Sequence, residues 1–278
     1  MFLPRIRPSH PPPVLLPNVF DTHCHLTSPH LAEHLRAVLD AAANAGVHGM
    51  VSVATDLDTA RAALALAQAH DTIWCTTGVH PSEAAHEHDF GAIEAVAKDP
   101  NCLAWGELGL DGHWPDPPHA MQLELLERQL TMINAWDAND GRKLPIVIHC
   151  RKALDALLPR LVDSGLDGDR FIFHCFTDGP DEADRVLDFG AAISFTGVVT
   201  YPNAPEVALA FDRVPGDRLM IETDAPYLSP QPVRKIRPNQ PAHLVHTAAF
   251  LAARRGQTID TFTAAADTTA RRIYRLPA

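Results

Sequence analysis

The sequence predicts a (β/α)8 barrel, and three observations predict it. Eight short hydrophobic runs alternate with helical patterns. Together they occupy about 250 residues, the usual size of such a barrel. The first, fourth, fifth, sixth and eighth runs each end beside a polar residue able to do chemistry. A doubly wound open sheet also alternates strand and helix, but it spreads polar strand ends along an edge, whereas a barrel gathers them at one mouth. Parallel strands buried on both faces read as continuous apolar runs, as these do.

The first strand ends at His23 to His25. A helix-period stripe of Leu31, Leu35, Val38, Leu39 and Ala42 follows and predicts a helix over 31–45, with Gly46 as its stop. A second strand over 49–54 leads to Asp58 as the cap of an alanine-rich helix reaching Ala69. The third strand, 73–77, runs into Gly78-Val79-His80-Pro81, with its helix at 90–98, and the fourth spans 102–107. The stretch 109–118, rich in Pro, Gly and Asp, reads as a long functional loop before a helix over 119–135. Strands at 145–149, 170–174, 191–195 and 219–222 alternate with helices starting near 152, then at 181–187 and 205–211. Two final helices, 240–255 and 258–274, seal the fold.

Composition sets the outer bounds. The chain has 278 residues, 46% of them hydrophobic, without an 18-residue apolar run. That points to one barrel domain over 18–278 preceded by a flexible, proline-rich extension over 1–17. Arg5 and Arg7 are followed by Pro8 and Pro11-Pro12-Pro13, where an export signal would need apolar residues. Five cysteines without paired spacing fit a reducing compartment, so the cytoplasm is the expected location. The net charge of −11 argues against a broad nucleic-acid-binding face, although Arg234, Lys235 and Arg237 form one local basic cluster.

The chemistry centres on His23 and His25. Side chains repeat every second residue along a strand, so both imidazoles point to one side and can grip one cation. Further ligands are offered by Glu107, His149, His174 and Asp224, each closing a hydrophobic run. A carboxylated lysine bridge is disfavoured, because none of the four lysines, Lys98, Lys143, Lys152 and Lys235, closes such a run. Mixed nitrogen and oxygen ligands suit zinc, manganese or iron, and magnesium if it keeps waters. Taken singly these residues also read as structural histidines, buried ion-pair partners or caps. Alternation turns Cys24 away from the metal, as a small packing residue. His30, His34, His86, His88 and His119 fall in helical or loop stretches and read as solvated.

Six segments in order resemble the TatD family of metal-dependent deoxyribonucleases: Asp21-Thr22-His23-Cys24-His25-Leu26, 78–81, Gly106-Glu107-Leu108-Gly109-Leu110-Asp111, Ile148-His149-Cys150-Arg151, His174-Cys175-Phe176-Thr177 and 222–230. The resemblance implies a cofactor of two divalent ions (magnesium, manganese or zinc), one held by His23, His25, Glu107 and Asp224, the other by Glu107, His149 and His174, with Glu107 bridging. Asp224 then takes a proton from the attacking water, so Glu107 and Asp224 are the catalytic pair. The implied partner is DNA, cut at single-stranded ends from the 3′ side; no membrane partner is expected, and the oligomeric state is left open with a monomer favoured. His80 by resemblance contacts a substrate phosphate, or is a hydrogen-bonded histidine before Pro81. Arg151 offers a planar fork to a phosphate, or an ion pair to the rim. Asp111 orients a ligand or turns the chain, and Trp114 stacks on a base or packs locally. Two departures from the family pattern, at Gly112-His113-Trp114 and Asn239-Gln240-Pro241, keep an alternative open, a two-metal hydrolase of small esters, lactones or amides. A metal-bound scaffold without turnover is a third.

Overall fold

The computed structural model describes residues 19–140 and 142–276; the expected extension over 1–17 lies outside them. The hydrophobic runs form eight parallel strands in chain order: β1 (Val19–Cys24), β2 (Val47–Ser52), β3 (Ile73–Thr77), β4 (Cys102–Asp111), β5 (Ile146–Arg151), β6 (Phe171–Phe173), β7 (Ala192–Phe195) and β8 (Leu219–Ile221). Main-chain bonds between the ends of β1 and β8 close the ring, from His25 N to Ala225 O at 2.7 Å and from Asp224 N to His23 O at 2.9 Å. The (β/α)8 barrel predicted from sequence is the observed fold.

Strand alternation sorts the core into two parts. Phe20, Val51, Leu103, Val147, Ile172, Ala192 and Met220 fill the barrel interior. Ile73, Trp105, Ile146, Phe171, Ile193 and Ile221 lie in the cluster that meets the surrounding helices. Those helices are α1 (Pro29–Ala32), α2 (Leu35–Asn44), α3 (Leu57–Ala69), α4 (Phe90–Ala97), α5 (His119–Asp140), α6 (Leu154–Asp163), α7 (Pro180–Phe189), α8 (Pro205–Arg213), α9 (Leu244–Arg254) and α10 (Ile259–Tyr274). The last of them sends Ile273 and Tyr274 into the inner cluster, and the Tyr274 hydroxyl donates to Thr22 O at 3.0 Å. No helix among the described residues is long and apolar enough to cross a membrane.

Three expectations change. The helix expected over 31–45 is two, because His34 leaves helical geometry and its carbonyl starts α2 by accepting from Val38 N. Asp56, not Asp58, caps α3, since Asp56 and Thr59 exchange the two bonds of a capping box. Strand β4 continues past Glu107 to Asp111, so the irregular loop begins at Gly112. Gly106 and Gly109 look like strand breakers in the sequence, yet they make the continuation possible. Both have positive φ, and a Cβ on Gly109 would lie 2.0 Å from His149 O on β5. The close approach of β4 to β5 is what sets Glu107 and His149 side by side.

Candidate metal centre

All six residues expected as ligands meet at the C-terminal mouth of the barrel. His23 is on β1 and His25 just beyond it, Glu107 on β4, His149 on β5, His174 after β6 and Asp224 after β8. Three of the residues that turn the chain there, Lys152, Cys175 and Asp224, adopt left-handed backbone at φ 53°, 46° and 51°. Non-glycine residues hold such geometry at a cost of about 1–3 kcal/mol each, and they do so where the surroundings dictate it.

Glu107 stands at the centre, and its two oxygens face different partners. Oε1 lies 2.6 Å from His174 Nε2 and 2.8 Å from His149 Nδ1. Oε2 lies 3.4 Å from His23 Nε2 and 3.9 Å from His25 Nε2. Asp224 Oδ1 completes that second side, 3.3 Å from His25 Nε2 and 3.6 Å from His23 Nε2. Among the described residues, three sets of ligand atoms lie within 4.8 Å of one another: His23, Glu107 and His174; His23, His25 and Asp224; His80, Glu107 and His149. This density of nitrogen and carboxylate donors fits divalent cations.

The far nitrogens of three histidines fix which nitrogen faces inward. His25 Nδ1 donates to Val53 O at 3.1 Å, His149 Nε2 to Asp111 Oδ2 at 3.1 Å, and His174 Nδ1 to Glu222 Oε1 at 3.3 Å. Each bond turns the other ring nitrogen toward Glu107 or Asp224 and raises its basicity. His23 is the exception, with Nδ1 buried and unpartnered and its ring stacked on that of His174 at 3.9 Å. Glu222 and Asp111 are thus working parts of the site. Asp111 does both things expected of it, since its Oδ1 also accepts from His113 N at 2.7 Å and so turns the loop. Sequence reasoning quoted Glu222 only as part of a motif, although a carboxylate closing an apolar run was a visible signal.

His80 differs from the other four histidines. Its Nδ1 accepts from Ser82 N at 3.0 Å, which leaves the proton on Nε2, 3.6 Å from Glu107 Oε1. Burial pulls its pKa down to about 3, so the ring is neutral and donates into the site. Arg151 is exposed at the end of β5 without an ion pair among the described residues, so the rim ion pair is not observed. Trp114 is also exposed. Cys24 is buried, with Sγ toward Val51 O, and packs as expected. His88 departs from expectation, half-buried with Nε2 on Glu83 O, whereas His30, His34, His86 and His119 are exposed.

Electrostatics point the same way. Burial alone would raise the Glu107 carboxyl, but the charge of His174 and hydrogen bonds from His149 and His174 hold it well below its usual range. Burial likewise opposes ionisation of Asp224, and the bond from His25 with the charges of His23, His25 and His174 reverses it. His174 is pulled down by burial but held well above the ordinary imidazole value by Glu107 and Glu222. His25 and His149 are raised as well, against burial, by their carboxylate neighbours. Protons are therefore favoured on the inward nitrogens of His174, His25 and His149, whereas burial and the charge of His174 disfavour one on His23. Metal uptake is expected to release protons, and apparent affinity to fall as pH drops by about tenfold per unit for each proton displaced. Calorimetric metal titrations in buffers of different ionisation enthalpy read this, and a pH-independent affinity would contradict it.

Comparison with known proteins agrees with this geometry. The family model described as TatD related DNase matches residues 20–275. The metal-dependent hydrolase YabD of Bacillus subtilis is 32% identical over 260 residues, covering 93% of this chain and 99% of its own. A protein named 3′-5′ ssDNA/RNA exonuclease TatD, from Enterobacter lignolyticus, is 35% identical over 266 residues, covering 92% and 98%. The crystal structure of YjjV, a TatD homologue from Escherichia coli, superposes with a TM-score of 0.84 at 28% identity, covering 93% and 98%. With the family model spanning the barrel and these relatives aligned over nearly their whole length, the chain belongs to the TatD-related DNase family and is a metal-dependent hydrolase.

Proposed function

We propose that this hydrolase cleaves phosphodiester bonds at single-stranded ends of DNA, removing nucleotides from the 3′ side. The observation that carries the proposal is the division of Glu107, one oxygen toward His149 and His174, the other toward His23, His25 and Asp224. His23, His25, Glu107 and Asp224 would hold one ion, and Glu107, His149 and His174 a second, with magnesium, manganese and zinc the candidates. Two such ions, when bound, acidify a water and offset phosphate charge.

The remaining work falls to the chain itself. Asp224, ionised at neutral pH, accepts the proton of the attacking water. His80 presents a neutral N–H to a phosphate oxygen and, being neutral, keeps that role across the physiological range. Arg151, without a carboxylate partner among the described residues, offers its fork to another phosphate oxygen. Single strands are favoured because His23 and Glu107 are 1% and 2% exposed, a depth that a duplex cannot enter. The named 3′-5′ ssDNA/RNA exonucleases among the relatives support this substrate class.

End-labelled oligonucleotides test it. With manganese or magnesium, single strands are expected to shorten stepwise from the 3′ end, and blunt duplexes at least about tenfold more slowly, the cost of unpairing the end. Intact DNA, alongside rapid cleavage of lactone or ester substrates, would move the chain to the small-molecule alternative.

A further inference from the structure

We propose that the body of a single-stranded polynucleotide lies along the loop that follows β8, held by Lys235 and Arg237 and stacked on Tyr227, so that only its end reaches Glu107 and Asp224. This deepens the phosphodiesterase proposal and rests on it.

The first observation is where unpaired cations stand. The chain carries a net charge of −11, and most of its described arginines have a local partner, either a carboxylate or a backbone carbonyl. Arg170 pairs with Asp137, Arg185 with Asp155, Arg213 with Asp184 and Arg254 with Asp212. Arg142, Arg218, Arg255 and Arg272 donate to backbone carbonyls. Lys235 and Arg237 are exposed and carry neither ion pair nor hydrogen bond among the described residues. Arg234, beside them, sits over the Tyr201 ring at 3.7 Å and donates to Asn203 at 3.0 Å. Its charge also lacks a carboxylate partner among the described residues.

The second observation is contrast between two hollows at the mouth. The hollow formed by 231–237, of about 680 Å3, has three cations and no carboxylate in its lining. The hollow beyond β5, of about 710 Å3, contains Lys152 and Trp114, but also Asp155, Asp178 and Glu182. Asp155 takes up the charge of Arg185 at 2.8 Å, and burial beside Glu182 and Asp155 pushes the Asp178 pKa up. A polyanion meets repulsion there and attraction at 231–237, so the strand leaves the site on the β8 side.

The third observation is continuity with the centre. Tyr227 is 55% exposed, yet its ring centroid is 6.1 Å from that of His25 and its N–H donates to Asp224 O at 2.9 Å. An exposed aromatic face beside the ligands, followed by unpaired cations, is the combination that binds single strands without reading sequence. The loop is also braced. Buried Asn239 donates to Thr223 O at 3.0 Å and to Tyr227 O at 2.6 Å, Ser229 Oγ donates to Ile236 O at 2.7 Å, and Gln231 N donates to Thr200 Oγ1 at 2.8 Å. Little ordering is left to be done when a strand arrives.

The test compares wild-type holoenzyme with the Lys235→Ala/Arg237→Ala double variant on oligothymidylates of increasing length and on bis(p-nitrophenyl) phosphate. In the wild type, KM should fall as the oligonucleotide lengthens. In the double variant that fall should be lost, raising KM for the longest substrate roughly tenfold, while kcat and small-diester hydrolysis stay unchanged. The slope of log KM against log salt should shrink by about 0.7 for each charge removed. Unchanged KM and salt slope in the variant, with a wild type that degrades the oligonucleotides, would overturn the strand path and leave the phosphodiesterase proposal standing. A matching loss on the small diester would also overturn it, by showing that the loop supports the centre rather than the strand. A wild type that cuts no oligonucleotide would overturn both.

Discussion

Replacing Glu107 with glutamine is expected to lower turnover at least about a thousandfold, a loss of about 4 kcal/mol in transition-state stabilisation. The substitution keeps the shape of the side chain, so the barrel should remain folded. What it removes is the shared charge. Both Glu107 oxygens are engaged, one within 2.8 Å of His149 and His174 and the other facing His23 and His25. An amide puts N–H groups where one of those sides needs an acceptor. Neither candidate ligand set is then complete. Metal analysis of the purified variant should show a loss of bound ion together with the loss of rate, and full metal occupancy with normal turnover would remove Glu107 from the bridging position.

Asp224→Asn should fail differently. In the proposed mechanism its carboxylate serves both a cation and the proton of the attacking water, and general-base catalysis contributes about a hundred- to ten-thousandfold. His23, His25 and Glu107 remain in place to hold the ion. Metal content should therefore stay close to normal while kcat falls over that range and KM changes little. The charge of Asp224 also helps keep His25 protonated in the metal-free state. Without it the His25 pKa drops, which offsets part of the affinity lost with the carboxylate. Steady-state kinetics with metal analysis separates the two carboxylates, and near-normal activity in Asp224→Asn would end its catalytic assignment.

Much of this site was legible because barrel strands are nearly uniform in their hydrophobicity. A histidine, glutamate or aspartate closing such a run stands out, and it stands at the mouth. His23 and His25 followed from strand alternation, and His149, His174 and Asp224 from their places after apolar runs. The partners that aim these ligands were harder to see, because they depend on which strands become neighbours. Glu222 reaches His174 and the N–H of Cys175 only because β7 brings the ends of β6 and β8 together. Asp21 is another such case, accepting from Thr223 N and Oγ1 across the β1 and β8 closure. The continuation of β4 was hidden by glycines whose reason lies on β5, since only the absence of a Cβ at Gly109 lets His149 approach. The tautomer of His80 rested on Ser82, whose N–H and hydroxyl both meet Nδ1, a detail of loop geometry that spacing does not encode. Opposite-charge pairing had the same character. Arg234, Lys235 and Arg237 looked like any basic trio until the structure showed how many other cations already had partners.

The central claim, two ions sharing Glu107, is tested most directly by titrating chelator-stripped protein with manganese while following bound ion and hydrolysis of labelled single-stranded DNA in the same samples. The account predicts two equivalents bound, with hydrolysis rising mainly as the second is taken up, and neither second-ion uptake nor hydrolysis in Glu107→Gln. Full hydrolysis at one equivalent, or a second ion bound equally well by the Glu107→Gln variant, would contradict it.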